Sequence, residues 1–335
     1  MRGRTEVRYY GKKLAFYAVA LWAAITLNFF IPRLLPGNPV DIMLAKLAQK
    51  GPVSPNARAS LELLLGTDAD ASLWDAYVGY LGNIFTLDFG PSVTYYPTPV
   101  VDVIAQALPW TIILVGVSTV LSFVLGITLG TIAGWRRGGW LDNLIPVTTM
   151  LQAVPYFWMA IILVYLLAVV WQVFPTFGGY DIYSTSPGWS WDFISSAIYH
   201  AMLPALTIVI SSVGGWMLGM RNMMVATLSE DYITTAEAKG LSPIRIRQRY
   251  AARNAILPSV AGFALSLGFV VSGSLVTEQV FSYPGIGYSL LQSVNNNDYA
   301  LMQALFLVIT VAVLGANLIV DLFYGVIDPR TRIRR

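Results

Sequence analysis

Residues 230–258 of the 335-residue chain read EDYITTAEAKGLSPIRIRQRYAARNAILP and connect two long apolar stretches. Glu230 and Asp231 open a predicted short helix, where acidic side chains interact favourably with the helix dipole. We expect Ser229 to be the N-cap of that helix. Gly240 is expected to end it, because glycine readily adopts the left-handed angles that follow many helix ends. The segment therefore predicts a helix, a sharp turn and a second helix.

The second helix of this segment is predicted to carry a basic stripe. Ser242 is its expected N-cap, and Pro243 takes the first helical position, where the missing N–H of proline costs nothing. Arg245, Arg249 and Arg253 follow four residues apart and share one face. Two capped helices around a turn predict a rigid projection that docks into a partner protein. In another interpretation the arginines meet anionic lipid headgroups. DNA binding is disfavoured by the tether to the two long apolar stretches.

The composition predicts a membrane protein. Hydrophobic residues make up 56% of the chain and charged residues 12%, about half the charged fraction of a typical soluble domain. A bilayer core about 30 Å thick is crossed by about 20 apolar helical residues. Six windows free of Asp, Glu, Lys and Arg are long enough: Leu14–Pro32, Val103–Trp135, Asn143–Tyr180, Phe193–Met220, Asn254–Thr277 and Tyr299–Val320. In the third window, Pro175, Gly178 and Gly179 are expected to leave one span near 146–172.

The distribution of basic residues predicts that both termini lie in the cytoplasm. With the N-terminus inside, the cytoplasmic segments hold 17 of the 21 Lys and Arg residues, as the positive-inside rule requires. The other four lie in segment 33–102, which is longer than the segments of about 60 residues to which the rule applies. The first window is interpreted as a retained span and not a signal peptide, because no small-x-small cleavage site follows it.

This topology divides the all-α chain into three parts. Residues 1–32 are the cytoplasmic N-terminus and first transmembrane helix, and residues 33–102 are a structured extracytoplasmic segment. Residues 103–335 are a five-helix core that includes the cytoplasmic loop 226–258. Two runs of the middle part are predicted to be helical, Ala57–Leu65 and Leu73–Phe85.

Several kinds of catalytic chemistry lack their residues in this sequence. It contains no G-x-x-x-x-G-K-[ST], H-E-x-x-H or G-x-S-x-G motif and no cysteine, so it predicts no enzyme activity, cofactor or metal. His200 is expected to cap or pack at the edge of the fourth window, with proton relay or catalysis as the alternative. Glu278 and Asp321 end apolar windows, where a carboxylate reaches water, and structural roles are favoured over functional ones.

Small residues predict close helix packing. Gly126, Gly130 and Gly134 in the second window, and Gly215 and Gly219 in the fourth, recur four residues apart. Such strips let another helix approach closely.

Three methionines of the fourth window, Met217, Met220 and Met224, share a helix face. Core packing is the expected role of this face. A soft pore lining is the alternative.

The 230–258 segment resembles the cytoplasmic loop of ABC-importer permease subunits of the dipeptide and oligopeptide branch. In that branch the loop reads approximately E-D-Y-x-x-T-A-x-A-K-G-L and then R-N-A-L-L-P. The matching residues are Glu230, Asp231, Tyr232, Thr235, Ala236, Ala238, Lys239, Gly240, Leu241, Arg253, Asn254, Ala255, Leu257 and Pro258. Further similarity follows in order at Leu35–Pro39, Leu108–Pro109, Leu203–Leu206, Glu278–Phe281, Pro284–Gly287 and Asp328–Arg330. Leu218 and Ala226 depart from an arginine and a glutamate that often flank Arg221.

The resemblance implies the MetI-like importer permease fold, with six transmembrane helices, in the plasma (inner) membrane of a bacterium or archaeon. It implies a second homologous permease subunit, two cytoplasmic ATPase subunits that bind the ATP, and an extracytoplasmic substrate-binding protein, with no nucleic acid partner. The loop would transmit ATPase closure to the surrounding spans. The implied ATPase-coupling residues are Glu230, Asp231, Tyr232, Thr235, Ala236, Lys239, Gly240, Leu241, Ser242, Arg245 and Arg249.

An ion-coupled secondary transporter is the alternative from another class. Inverted repeats, mid-membrane charges or glycine-broken helices are typical of that class, and the sequence shows no repeat and no charge at the centre of a window. Peptides are the expected cargo, with oligosaccharides or nickel complexes as alternatives. The aromatic-rich segment 174–199 could stack on sugar rings, although anchoring at the membrane interface is favoured.

Overall fold

The apolar runs of the sequence form helices in the computed structural model, which describes residues 2–34, 37–64, 72–268, 270 and 275–327. These described residues form no β-strand. Pro91 and Pro99 form an isolated β-bridge. The helices are α1 (Arg2–Arg33), α2 (Pro39–Lys50), α3 (Ala57–Leu64), α4 (Leu73–Thr86), α5 (Val100–Trp135), α6 (Trp140–Ala153), α7 (Tyr156–Leu163), α8 (Trp191–Leu228), α9 (Asp231–Ala238), α10 (Pro243–Arg245), α11 (Arg253–Ala255), α12 (Leu257–Gly268), α13 (Leu275–Val280), α14 (Ile286–Asn295) and α15 (Tyr299–Ile327). Two π-helical segments, Val164–Val170 and Ile246–Ala252, continue α7 and α10.

In the part of the chain that the structure describes, four helices are long and apolar enough to cross a membrane. They are Gly11–Arg33 within α1, Val100–Trp135, Trp191–Leu228 and Tyr299–Ile319 within α15. These helices contain most of the first, second, fourth and sixth apolar windows and confirm them as helical. The fifth window contains the short apolar helix α12, but its residues 269 and 271–274 lie outside the described part of the chain. The total of six spans stays a prediction.

The third apolar window forms a bent pair of helices instead of one straight helix, and the single span expected near 146–172 stays a prediction. Helix α6 and the α7 helix with its π-helical continuation meet at 100°. Val154, between them, is extended (φ −72°, ψ 127°), and Pro155 is the N-cap of α7. A proline disfavours helical angles in the residue before it and has no N–H for the helix ladder. The local chemistry of Pro155 therefore favours a break in the helix at this point.

The predicted helical runs of segment 33–102 are confirmed by α3 and α4, except that Leu65, the last residue of the first run, lies outside the described residues. Helix α2, which precedes them, was not predicted. Its start has a local cause, since the Asn38 side chain accepts a hydrogen bond from the N–H of Val40 at 2.9 Å and Pro39 takes the first helical position. The Asn-Pro pair was the available sequence signal.

The chain forms two compact units, and the first runs to Thr111 and includes Leu275 and Pro284–Leu322. Its apolar core joins the start of α5 to α14 and α15. The buried members of this core are Val100, Val103, Ile104, Ala107, Ile286, Leu290, Leu301, Ala304 and Leu305.

A buried carboxylate, Asp298, ties a loop of this unit to the start of α15. The Ser92 hydroxyl donates to Asp298 Oδ2 at 2.5 Å, and the N–H of Thr94 donates to the same oxygen at 2.9 Å. The N–H of Leu301, in the first turn of α15, donates to Oδ1 at 3.1 Å. Asp298 therefore acts both as a helix cap and as an anchor for the loop.

The second unit begins at Ile112, runs to Val270 and includes Val276–Tyr283. The predicted glycine strip of α5 packs directly against α8. A Cβ atom added at Gly130 would lie 2.4 Å from the carbonyl oxygen of Met217, a separation that real side chains do not reach. A Cβ atom added at Gly126 or at Gly134 would lie at a similar distance from atoms of α8. The expectation of close packing along this strip is confirmed.

On α8 the close approach involves a different pair of glycines from the one predicted. A Cβ atom at Gly214 would lie 2.5 Å from the carbonyl oxygen of Thr148, and one at Gly215 would lie 2.9 Å from the amide nitrogen of Gln152. A Cβ atom at Gly219 would have no neighbouring atom of the described residues within 4 Å. Within this chain, α6 therefore packs on the Gly214–Gly215 pair.

The methionines of α8 belong to the core. Met217, Met220 and Met224 are at most 1% exposed, and Met217 and Met224 lie against the α5 glycine strip. This burial favours core packing over a pore lining.

Candidate functional site

The candidate site is the 230–258 segment, which has the predicted order of helix, turn and helix. The first helix is α9. The second begins at Pro243, continues through the π-helical turn and ends with α11. The residues around each helix end show which of the predicted caps form.

Ser229 is not the N-cap of α9, so that prediction is wrong. Its hydroxyl donates to the carbonyl oxygen of Ala226 at 2.7 Å, and its N–H bonds to the same oxygen at 3.3 Å. Because α8 continues to Leu228, Ser229 closes the end of that helix instead. Glu230 takes the N-cap position of α9 without a side-chain capping bond.

Gly240 makes the sharp turn that the sequence predicts. Its φ is +70°, in the left-handed region. Its N–H donates to the carbonyl oxygen of Glu237 at 2.8 Å, and the N–H of Leu241 donates to that of Ala236 at 3.3 Å. These two bonds form a Schellman motif. Among the described residues, no atom lies within 4 Å of the position that a Cβ would take at Gly240, so the backbone angle, and not lack of space, requires glycine here.

The second helix starts at Pro243, with Ser242 at the N-cap position as predicted, although the serine hydroxyl makes no capping bond. The segment Ile246–Ala252 is π-helical. The wider π-helical turn changes the spacing of the buried residues, because the first two of them, Ile246 and Ala251, are five residues apart. The buried residues of this helix are Ile246, Ala251 and Ala255.

The predicted basic stripe lies on the exposed side of this helix. Arg245, Arg249 and Arg253 are all exposed, and Arg247 is half-buried. The exposed guanidinium groups are available to an acidic protein surface or to anionic lipid headgroups, so both interpretations of the stripe stay open.

An apolar base holds the 230–258 segment on the end of α8. Ile233 and Ala236 of α9 pack with Ile246, Ala251 and Ala255 of the second helix, and with Met220 and Met224 of α8. All seven side chains are at most 3% exposed. The segment is therefore a packed projection of the helical core.

The structure separates the predicted coupling residues into a surface set and a core set. Ala236 is 2% exposed and belongs to the apolar base, and half-buried Leu241 packs against that base. The exposed members are Glu230, Asp231, Tyr232, Thr235, Lys239, Gly240, Ser242, Arg245 and Arg249.

A side-chain hydrogen bond joins the two helices of the segment on its exposed side. The amide nitrogen of Asn254 donates to the Tyr232 hydroxyl and to the carbonyl oxygen of Tyr250, both at 3.0 Å. Asn254 was absent from the predicted set of coupling residues, although it is part of the R-N-A motif. It fixes Tyr232 relative to the second helix.

Arg221 of α8 has a partner that the sequence did not reveal. Its Nε and Nη2 atoms donate to the two carboxylate oxygens of Asp142 at 2.9 and 3.3 Å. Asp142 also accepts the N–H of Gly138 at 2.9 Å, and Arg137 donates to the carbonyl oxygen of Val225 at 3.1 Å. These bonds tie the start of α6 to α8 beside the 230–258 segment.

The other carboxylates that the sequence singled out have different environments. Asp321 lies 3.3 Å from the Lys13 ammonium and accepts the Tyr17 hydroxyl at 2.9 Å, which supports a structural role. Glu278 is fully buried, so the expectation that it reaches water is wrong.

His200 lines an open cleft of about 730 Å³ together with Asp181 and Asp192. Its Nδ1 lies 2.8 Å from the carbonyl oxygen of Ser196, a bond within α8 that fits the expected packing role. Hydrogen bonds from the Ser184 hydroxyl and from backbone N–H groups lower the pKa of Asp181. The neighbouring aromatic segment remains compatible with interfacial anchoring and with sugar stacking.

Several helices of spanning length, a tightly packed helical core and an exposed helical projection are typical of a polytopic membrane protein. Residues 126–333 match the family described as binding-protein-dependent transport system inner membrane component. The chain belongs to this family and is a permease subunit of an ABC importer. It is a membrane component of the transporter and is not itself the catalytic subunit.

Relatives extend this similarity over nearly the whole chain. The oligopeptide transport system permease protein AppB of Bacillus subtilis is 33% identical over 91% of this chain and 92% of its own. The di/tripeptide transport system permease protein DppB of Pseudomonas aeruginosa is 30% identical over 97% and 98%. The oligopeptide transport system permease protein OppB of Haemophilus influenzae is 32% identical over 96% and 98%.

Proposed function

We propose that this chain is one of two permease subunits of an importer for peptides. In this proposal a homologous permease completes the pathway, two cytoplasmic ATPase subunits bind and hydrolyse ATP, and an extracytoplasmic binding protein delivers the peptide. Family membership supports dependence on a binding protein. The names of the three relatives, which are permeases for oligopeptides or for di- and tripeptides, support the cargo.

The observation that carries the proposal is the two-sided construction of the 230–258 segment. Its apolar side is buried against α8. Its opposite side exposes acidic residues on α9 and basic residues on the second helix. A mixed charge pattern on a rigid projection suits recognition of a partner with a complementary pattern, because misplaced like charges would be repelled. We assign this exposed side to the ATPase subunits.

Packing provides a route from this surface to the spans. Ile233 and Ala236 of α9 contact the methionine face of α8, and well-packed interiors transmit displacement because they are difficult to compress. The Arg221–Asp142 pair joins α8 in turn to α6. Movement of α9 on ATPase closure is therefore expected to move α8 and α6.

Cysteine cross-linking tests the docking surface, because the chain contains no cysteine of its own. A cysteine at exposed Lys239 should cross-link to a cysteine in the ATPase subunit of the assembled importer, with a yield that changes when ATP is added. A cysteine at Tyr183, which is 95% exposed in segment 174–199, is the matched control and should not cross-link. Equal cross-linking at both positions, or none at Lys239 in an active complex, would contradict the docking assignment.

The proposed orientation places both termini and the 230–258 segment in the cytoplasm. In intact cells, single cysteines at Ser186 and Asn296 should react with an impermeant thiol reagent, whereas one at Ser242 should not. Reaction at Ser242, or protection of both other positions, would overturn the orientation.

The cargo is tested by uptake into proteoliposomes that contain the complete importer and its binding protein. Labelled di- and oligopeptides should accumulate when ATP is present inside the vesicles, whereas a labelled maltooligosaccharide and a nickel chelate should not. Accumulation of the sugar or of nickel, without peptide uptake, would replace the peptide assignment and leave the permease assignment intact.

A further inference from the structure

Helix α4 (Leu73–Thr86) presents three different faces along its length. Tyr77 and Tyr80 form the first face, and Tyr80 is 5% exposed. At helical spacing, Trp74, Val78, Leu81 and Phe85 form a second, apolar face. The third face carries small and polar residues: Asp75, Gly79, Gly82, Asn83 and Thr86.

The tyrosine face packs on α1 close to its Arg33 end. The hydroxyl groups of Thr26 and Tyr77 are 2.8 Å apart. The Phe29 ring lies 5.2 Å from the ring of Tyr77 and 5.7 Å from that of Tyr80. Because Phe29 is fully buried, this contact is a packed junction between the two helices.

The junction lies at membrane depth. Thr26 and Phe29 fall within the apolar span Gly11–Arg33, and Thr26 is about 10 Å from Arg33 along the helix axis at 1.5 Å per residue. Neighbouring side chains of α1, among them Leu27 and Phe30, are exposed and face lipid in a spanning helix. Helix α4 is therefore held about level with the border between acyl chains and headgroups.

The apolar face of α4 is exposed at this level. Trp74 is 70% exposed, Val78 49% and Phe85 88%. Asp75 is the single charged residue of the helix, and it lies on the third face. In water such a face would leave two large aromatic side chains unburied, whereas an apolar face beside a polar one matches helices that lie in a membrane interface.

We propose that α4 lies in the membrane interface at the Arg33 end of α1, with Trp74, Val78 and Phe85 in the acyl-chain border of that leaflet. The face with Asp75 and Asn83 points to water. The helix then anchors the segment between α1 and α5 to the lipid surface beside the first span. Lipid is the occupant of the apolar face because the junction that holds α4 lies within the apolar span Gly11–Arg33, where exposed side chains of α1 such as Leu27 and Phe30 face lipid.

Spin-label accessibility in the complete importer, reconstituted in nanodiscs of phosphatidylethanolamine and phosphatidylglycerol, tests the proposal. Labels are placed on Val78→Cys, Phe85→Cys and the matched control Asn83→Cys, which lies on the polar face of the same helix. Oxygen concentrates in lipid, and a nickel chelate stays in water. The ratio of oxygen to nickel accessibility should be several-fold higher at positions 78 and 85 than at 83.

Two results would overturn the proposal. Nickel accessibility at positions 78 and 85 equal to that at 83 would place the face in water. Protection of both positions from both reagents would show that a protein subunit covers the face. Phe85 is so exposed that its replacement leaves no cavity, so Phe85→Cys keeps the test decisive if Val78→Cys does not assemble.

Discussion

Replacing Gly240 by valine alters one backbone angle of the 230–258 segment without a steric clash. Gly240 has φ +70°, and no atom in the described part of the chain lies within 4 Å of the position a Cβ would take. The cost is therefore confined to the left-handed conformation, about 1–2 kcal/mol for an L-residue, and β-branched residues are rare there. The backbone at position 240 can either keep its left-handed angles with this strain or rotate to other angles. Rotation would break the hydrogen bond from the Leu241 N–H to the carbonyl oxygen of Ala236.

A penalty of this size is small compared with the folding stability of the whole permease. It is large for the conformational equilibrium of one turn. It changes the ratio of correctly shaped to distorted turns by a factor of about 5–30. We expect Gly240→Val to insert and assemble at near-normal abundance, because the apolar base on α8 does not include Gly240. Peptide uptake should fall at least about fivefold, the lower end of that range, and substrate-stimulated ATP hydrolysis should fall with it.

The assay compares initial rates of peptide uptake in proteoliposomes, divided by the amount of assembled importer. Gly240→Asn is the matched control, since asparagine enters the left-handed region more readily than other residues with side chains. It should retain most of the uptake. Normal uptake by Gly240→Val at normal abundance would show that the 230–258 segment is passive, and it would favour the lipid interpretation of Arg245, Arg249 and Arg253.

Three further substitutions test contacts whose partner residues the structure identifies. Gly130→Ala should lower the melting temperature of the permease by overpacking worth about 1–3 kcal/mol, whereas Gly219→Ala, with no atom near its Cβ position, should not; equal effects would refute the packing of α5 on α8. Asp298→Ala should destabilise the permease by about 1–3 kcal/mol because it leaves buried donors unpaired. Thermal unfolding measures this effect with Asp298→Asn as the comparison, and an unchanged unfolding midpoint would contradict it. Arg221→Gln should change stability by at most about 1 kcal/mol, as for a partly exposed pair, but lower uptake per ATP hydrolysed; unchanged coupling would show that the bond to Asp142 is not part of the transmission route.

Local chemistry determined several features that could be read from the sequence. Gly240 and Pro243 set the end of one helix and the start of the next, because left-handed angles and a missing N–H act within a few residues. The apolar windows of spanning length predicted the positions of four long helices that the structure contains. The glycines of α5 indicated close helix packing because their spacing of four creates a smooth strip.

Tertiary packing decided which of several equivalent signals took effect. Pro109, Pro146 and Pro204 lie inside helices, whereas Pro155 bends the chain by 100°, and the residue alone does not distinguish these cases. Neighbouring helices decide whether a proline is accommodated, because they can satisfy the backbone groups that it frees.

The same reason explains the contacts that sequence reasoning missed. Arg221 and Asp142 are 79 residues apart, and Ser92 and Asp298 are 206 residues apart. No local pattern records such pairs. Gly214 and Gly219 are both glycines of one helix, and only the position of α6 makes the first a contact and leaves the second open. Sequence periodicity specifies helices and their faces, while the partner that covers each face depends on how distant segments pack together.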